Sequence, residues 1–131
     1  MEVEDMSQKI LITEAKIENN ELRLSTNTET DIGDFSPTGQ MLVDSDQLSF
    51  VYIVDQEDGY RYVTIPEETW SVIQDGLQAG LETFLTNKNG KLKLDSFQSE
   101  MEYLIENITG NSNYGEEMVA KVEQVFAAPS A

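Results

Sequence analysis

The stretch GQMLVDSDQLSFVYIVDQEDGYRYVTIP, residues 39–66, decides the fold. It divides into a short strand at 40–44, a DSD break, a strand at 48–55, a DQEDG turn and a strand at 59–65. Connections this short join antiparallel neighbours. Along the middle strand Phe50, Tyr52 and Val54 point one way, while Val51 and Ile53 point the other. A strand apolar on both faces belongs at the centre of a sheet with cover on each side. The second cover is a curled sheet, a helix or another subunit, which leaves room for a homodimer.

Upstream, KILITEAKIENNELRLST (9–26) reads as a β-hairpin. Ile10 and Ile12 share one face, as do Leu22 and Leu24 on the return strand, and Asn19-Asn20 can take the positive φ of a two-residue turn. Residues 27–39 combine turn formers with sparse hydrophobics and read as a loop. Downstream, Pro66 opens a helix over about 67–79, with Glu67 and Glu68 favouring its positive end and Trp70, Ile73 and Leu77 on one stripe. A second hairpin follows around Asn89-Gly90. Two helices close the chain. The first, about 96–109, starts at Asp95 or Ser96 as N-cap and buries Phe97, Met101, Leu104, Ile105 and Ile108. The second, about 114–126, has Asn113 and Glu116 at the spacing of a capping box.

The resulting fold class is α+β: a single domain over 8–126, with a mainly antiparallel sheet of about 6–7 strands built from hairpins, and three helices. Residues 1–7 are expected to fray and 127–131 form a tail. The pattern carries no parallel crossover or internal repeat.

Composition narrows the chemistry. The 131 residues include no histidine and no cysteine, and 25 Asp+Glu stand against 8 Lys+Arg for a formal net charge of −17. A Ser–His–Asp triad and thiol chemistry are excluded, and no motif asks for a cofactor. The eight cations are scattered, which argues against nucleic acid or an anionic membrane as partner. The apolar run VYIV at 51–54 is far below the roughly 20 residues that span a bilayer. The opening MEVEDMSQK has the wrong sign for an export signal, so a cytoplasmic bacterial location is expected.

Few clusters suggest a site. Asp44 and Asp46 flank Ser45 and could offer oxygen ligands to Mg²⁺ or Ca²⁺, yet the EF-hand spacing is absent and a tight turn explains the same residues. In GNSNYG (110–115), Asn111, Asn113 and Tyr114 precede a helix N-terminus that could receive an anion. A helix connector needing positive φ accounts for the same glycines. Tyr52, Tyr60, Tyr62 and Trp70 could form a stacking platform, though aromatics on paired strands commonly pack into a core.

Three segments carry a resemblance: GQMLVDSDQLSFVY (39–52), EETW (67–70) and FQSEMEYLIENITGNSNYGEEMVAKVEQVF (97–126). Together they resemble the YjbL-like family of small uncharacterised proteins from low-GC Gram-positive bacteria. The chain departs from that pattern at Ile108-Thr109, where relatives tend to have Ile-Lys. The resemblance implies a cytoplasmic bacterial protein and transfers no catalytic or binding residue. The expected role is that of a non-enzymatic acidic protein acting through contacts with an unknown protein partner. The alternatives are a regulator that mimics nucleic-acid charge to bind a basic protein, and a module binding a divalent cation or small molecule.

Charge also predicts a salt response. Compaction brings like charges together, and the Debye length falls from about 30 Å at 0.01 M to about 3 Å at 1 M salt. The melting temperature is expected to climb with NaCl, most steeply at the low end, and equally with KCl. A saturable rise with micromolar Ca²⁺, abolished by Asp44→Asn with Asp46→Asn, would instead mark a discrete cation site.

Overall fold

The computed structural model describes residues 9–29, 31–56 and 59–126, so the expectations for 1–7 and 127–131 lie outside the described residues. Among the described residues the strands are β1 (Lys9–Glu18), β2 (Glu21–Thr26), β3 (Ser36–Asp44), β4 (Ser49–Gln56), β5 (Gly59–Pro66), β6 (Glu82–Asn87) and β7 (Gly90–Lys93). The α-helices are α1 (Trp70–Gln78), α2 (Phe97–Ile108) and α3 (Glu116–Val125). All seven strands join one sheet in the order β3-β4-β5-β1-β2-β6-β7.

The sheet is mainly antiparallel, as expected, and it also holds two parallel pairings that the sequence pattern does not show. Hairpins β1–β2, β3–β4–β5 and β6–β7 are antiparallel, but β1 runs parallel to β5 and β2 parallel to β6. The first hairpin occupies the middle, so its two edges take β5 and β6. Helix α1 carries the chain between those edges on one side of the sheet. Asn19 and Asn20 turn the central hairpin at φ 54° and 63°, the two positive values that such a turn requires.

Several boundaries differ from the sequence reading. Strand β3 begins at Ser36, not at 40, and Gly39 lies where its pairing with β4 shifts register. The polar stretch before it holds a 3₁₀ turn, Ile32–Asp34, capped by the Asp31 carboxylate on the Gly33 N–H, with Ile32 and Phe35 buried as anchors. Residues Glu67–Thr69 form a 3₁₀ turn before α1 begins at Trp70. In the last hairpin the turn residues are Lys88 and Asn89, because the Asn87 side chain accepts both the Asn89 and Gly90 N–H groups. Ser96 sits before α2 at φ 64° and makes no side-chain cap bond. No Asn113–Glu116 capping box forms. Asn113 lies within the 3₁₀ turn Ser112–Tyr114, and Gly115, at φ 95°, caps α3.

One face of the sheet carries the core. Ile10, Ile12, Leu22, Leu24, Phe50, Tyr52, Val63 and Ile65 are fully or almost fully buried there, beneath Trp70, Ile73, Met101, Ile108 and Val122 of the helices. The Trp70 ring centroid lies 5.0 Å from that of Phe50 and 5.7 Å from that of Phe126, and its indole N–H donates to the Ile65 carbonyl at 3.2 Å. Helix α1 approaches β2 so closely that a Cβ on Gly76 would meet the Leu22 side chain at 3.0 Å. At the other end of the core, the Tyr52 hydroxyl accepts from the Gly39 N–H at 3.1 Å and donates to the Asp95 carbonyl at 2.6 Å. That single oxygen joins β3, β4 and the entry to α2. Gly39, at φ 75°, faces Ser96 across this joint: a Cβ there would stand 3.4 Å from the Ser96 hydroxyl.

Two outcomes follow from this packing. Trp70→Ala should cost about 3–5 kcal/mol of stability in urea unfolding, a large part of the roughly 5–15 kcal/mol a domain holds. A variant within a degree or two of wild type on melting would place the ring outside the core. Burial pushes the Tyr52 phenol up to about 12 from an ordinary 10, helped by the carboxylates of Asp95 and Glu100 and opposed by the Gly39 N–H. Folding therefore favours the neutral phenol. Its contribution is complete below pH 10 and is lost as pH rises towards about 12. Tyr52→Phe should lose about 1–3 kcal/mol near neutral pH and show a shallower alkaline decline of its urea midpoint than wild type.

Candidate functional site

Three helices on one side leave the other face of the sheet without a helical layer among the described residues. The outward side chains fall into cross-strand rows fixed by the register. Leu42 pairs with Val51, Val51 with Thr64 and Thr64 with Leu11, making one row across β3, β4, β5 and β1. The adjacent row runs Gln40, Ile53, Tyr62 and Lys9. None of these residues belongs to the buried core cluster. Leu11 is 54% and Leu42 46% exposed, Val51 and Tyr62 are partly buried, and Thr64 and Ile53 are buried within the two rows. A hollow of about 640 Å³ opens over this half of the face, floored by Leu42, Val51, Tyr62 and Thr64. Asp44 and Asp46 stand on one side of it and Lys9 on the other.

The other half of the same face, over β2, β6 and β7, is ion-paired. Arg23 bonds Glu21 at 2.8 Å and Glu18 at 3.0 Å, Lys91 reaches Glu21 at 3.1 Å, and Lys93 reaches Glu82 at 3.1 Å. Hydrogen bonds from Arg23 and then Lys91 hold the Glu21 carboxyl below its usual range. The Lys91 ammonium also lies 4.7 Å from the Phe84 ring centroid. Five of the eight cations (Lys9, Lys16, Arg23, Lys91 and Lys93) thus sit on the outward face. By contrast, the three α-helices and the 3₁₀ turn before α1 carry nine carboxylates and one lysine, Lys121. The negative charge is concentrated on the helical side.

The residues singled out in the sequence are dispersed. The Asp44 carboxylate accepts the Gln47 N–H at 3.2 Å and holds the β3–β4 turn, while Asp46 is exposed. Among the described residues no group of three or more acidic side chains gathers to hold a metal ion. In the 110–115 loop the backbone donors are taken: Gly110 N–H by Glu123, Asn113 N–H by the Asn111 side chain, and Tyr114 N–H by the Asn111 carbonyl. Glu116 and Glu117 then open α3 with like charge against any anion. Strand alternation splits the aromatic group, burying Tyr52 and Trp70 and leaving Tyr60, 53% exposed, and Tyr62 on the outward face. Sequence reasoning noted Val51 and Ile53 as outward and apolar but missed Leu11 and Leu42, which join them only through the cross-strand register.

Among the described residues no helix is long and apolar enough to cross a membrane. The model of a family of unknown function, UPF0738, matches residues 10–126. A UPF0738 protein of Bacillus licheniformis is 45% identical over 121 residues, covering 92% of this chain and 99% of the relative. The UPF0738 protein YjbL of Bacillus subtilis is 40% identical over 121 residues, with the same coverage. One of Bacillus mycoides is 38% identical over 122 residues, again with 92% and 99% covered. No solved structure matches the chain. With the family pattern running from β1 to the end of α3, this chain belongs to the UPF0738 family.

Proposed function

We propose that this protein is a non-enzymatic binding module that works through the outward face of its sheet. One observation carries the reading: the row Leu42–Val51–Thr64–Leu11 is continuous across four strands and outside the core, with half-exposed leucines at both ends. Apolar area of this kind is removed from water by a partner, and contiguous patches beyond a few hundred Å² commonly mark such contacts. The missing His and Cys, and the pairing of the outward Arg and Lys with carboxylates, fit a role in contact more than in proton transfer.

A second reading has its own observation. The nine carboxylates of the helical side could present a polyanionic surface to the nucleic-acid site of a basic protein. The two readings use opposite sides of the molecule, so one experiment separates them. A photo-cross-linking residue is placed at Leu42 on the outward face, and in a second version at Tyr103, which is 61% exposed on α2. In the producing cells, position 42 is expected to yield a discrete heavier product, and Leu11→Ser should diminish it. A product from position 103 alone would give the helical side the contact role.

A further inference from the structure

The outward apolar rows have a size and a charge pattern that select an occupant. Four strands at about 4.8 Å spacing span about 19 Å, and the two rows extend about 14 Å along the strands. That is on the order of 270 Å² on this chain, or about 540 Å² summed over two partners. A stable protein–protein interface commonly buries about 1,200 Å² or more, so the apolar half of the face is small for a second copy. The other half, with its Arg23, Lys91 and Lys93 ion pairs, is poorly suited to extend it. Two copies at −17 would also repel each other. An α-helix is about 10–12 Å wide with side chains and rises 1.5 Å per residue, so about 13 residues of one helix fill the patch.

The charges point to the sign of that helix. Asp44 and Asp46 border the hollow beside Leu42, with Ser45 between them, and Lys9 stands across it. Asp46 is exposed, and the Asp44 oxygen that serves the turn leaves the second oxygen of the carboxylate without a bond. The whole-chain field steers cations towards the molecule. We infer that the outward face receives a single basic amphipathic α-helix of a partner protein, its apolar side on Leu11, Leu42, Val51 and Tyr62 and its cations beside Asp44 and Asp46. This rests on the reading of the open face as the contact surface and names the chemistry of the partner.

The probe is a fluorescein-labelled Leu/Lys amphipathic helix of about 14 residues, compared with a peptide of the same composition whose leucines are scrambled off one face. Fluorescence anisotropy measures binding at about 50 mM and about 300 mM NaCl, so that bulk charge attraction is screened in the second. The amphipathic peptide should saturate at both salts, and the scrambled one should lose binding at the higher. Leu11→Ser with Leu42→Ser should weaken the complex about tenfold and Asp44→Asn with Asp46→Asn about threefold. Glu106→Gln with Glu117→Gln, on the helical side, should leave it within about twofold. Amide NMR shifts of the unaltered chain, which need no variant to fold, should map the peptide to β3, β4, β5 and β1. Equal binding of the two peptides, shifts confined to α2 and α3, or a loss caused by the Glu variants alone would overturn the inference. A homodimer abolished by Leu42→Ser would overturn the helix while keeping the open face as an interface. Failure of the peptide together with no cross-link at position 42 would remove both.

Discussion

Among the described residues three α-helices must cover a sheet of seven strands, and they suffice for only one of its faces. That constraint is enforced by the aromatic contact of Trp70 with Phe50 and Phe126, which ties α1, β4 and the end of α3 into one apolar mass. Burying an indole with its N–H satisfied by Ile65 is worth more than any surface ion pair the chain contains. With the helices fixed to that side, the outward side chains of β3, β4, β5 and β1 have no cover from the helical layer. The apolar character of Val51, which is only partly buried outside the core cluster, becomes the feature to explain.

Much of the fold was legible because its signals are local. Asn19-Asn20 sets two consecutive positive φ angles, and the period-two and period-3.6 patterns place the hairpins and the three helices close to where they occur. What was illegible depends on residues far apart in the chain. The parallel pairings of β1 with β5 and β2 with β6 follow from the first hairpin taking the middle of the sheet, and no turn motif records that choice. Ile32 and Phe35 are isolated apolar residues in polar surroundings, without the neighbours that would have given a period. Ser96 is the natural N-cap by type, yet its backbone is left-handed, next to the Asp95 carbonyl that the Tyr52 hydroxyl of β4 holds.

The candidate site shows the same division. Asp44 and Asp46 stand out in the sequence as a DSD cluster, and their local hydrogen bonding is that of a turn. Their position at the edge of an apolar hollow comes from β1 lying beyond β5, which brings Leu11 and Lys9 opposite a loop more than thirty residues away. Asn111, Asn113 and Tyr114 precede a helix N-terminus that by sequence could receive an anion, but Glu123 reaches back from α3 to take the Gly110 N–H, a contact that only helix packing creates.

The distribution of charge gives the two layers different tasks. Uniform acidity would serve solubility alone, but here the carboxylates crowd the helical side while Lys16, Arg23, Lys91 and Lys93 on the sheet are neutralised by adjacent Glu18, Glu21 and Glu82. An open apolar face is an aggregation hazard when copies can approach it freely. Strong negative charge on the opposite layer makes every copy repel every other, whichever faces meet, while attracting a cationic partner. The acidity of the helices and the exposure of Leu11 and Leu42 are then two parts of one arrangement. On the proposed reading, the field discourages self-association and the apolar rows hold what the field brings near.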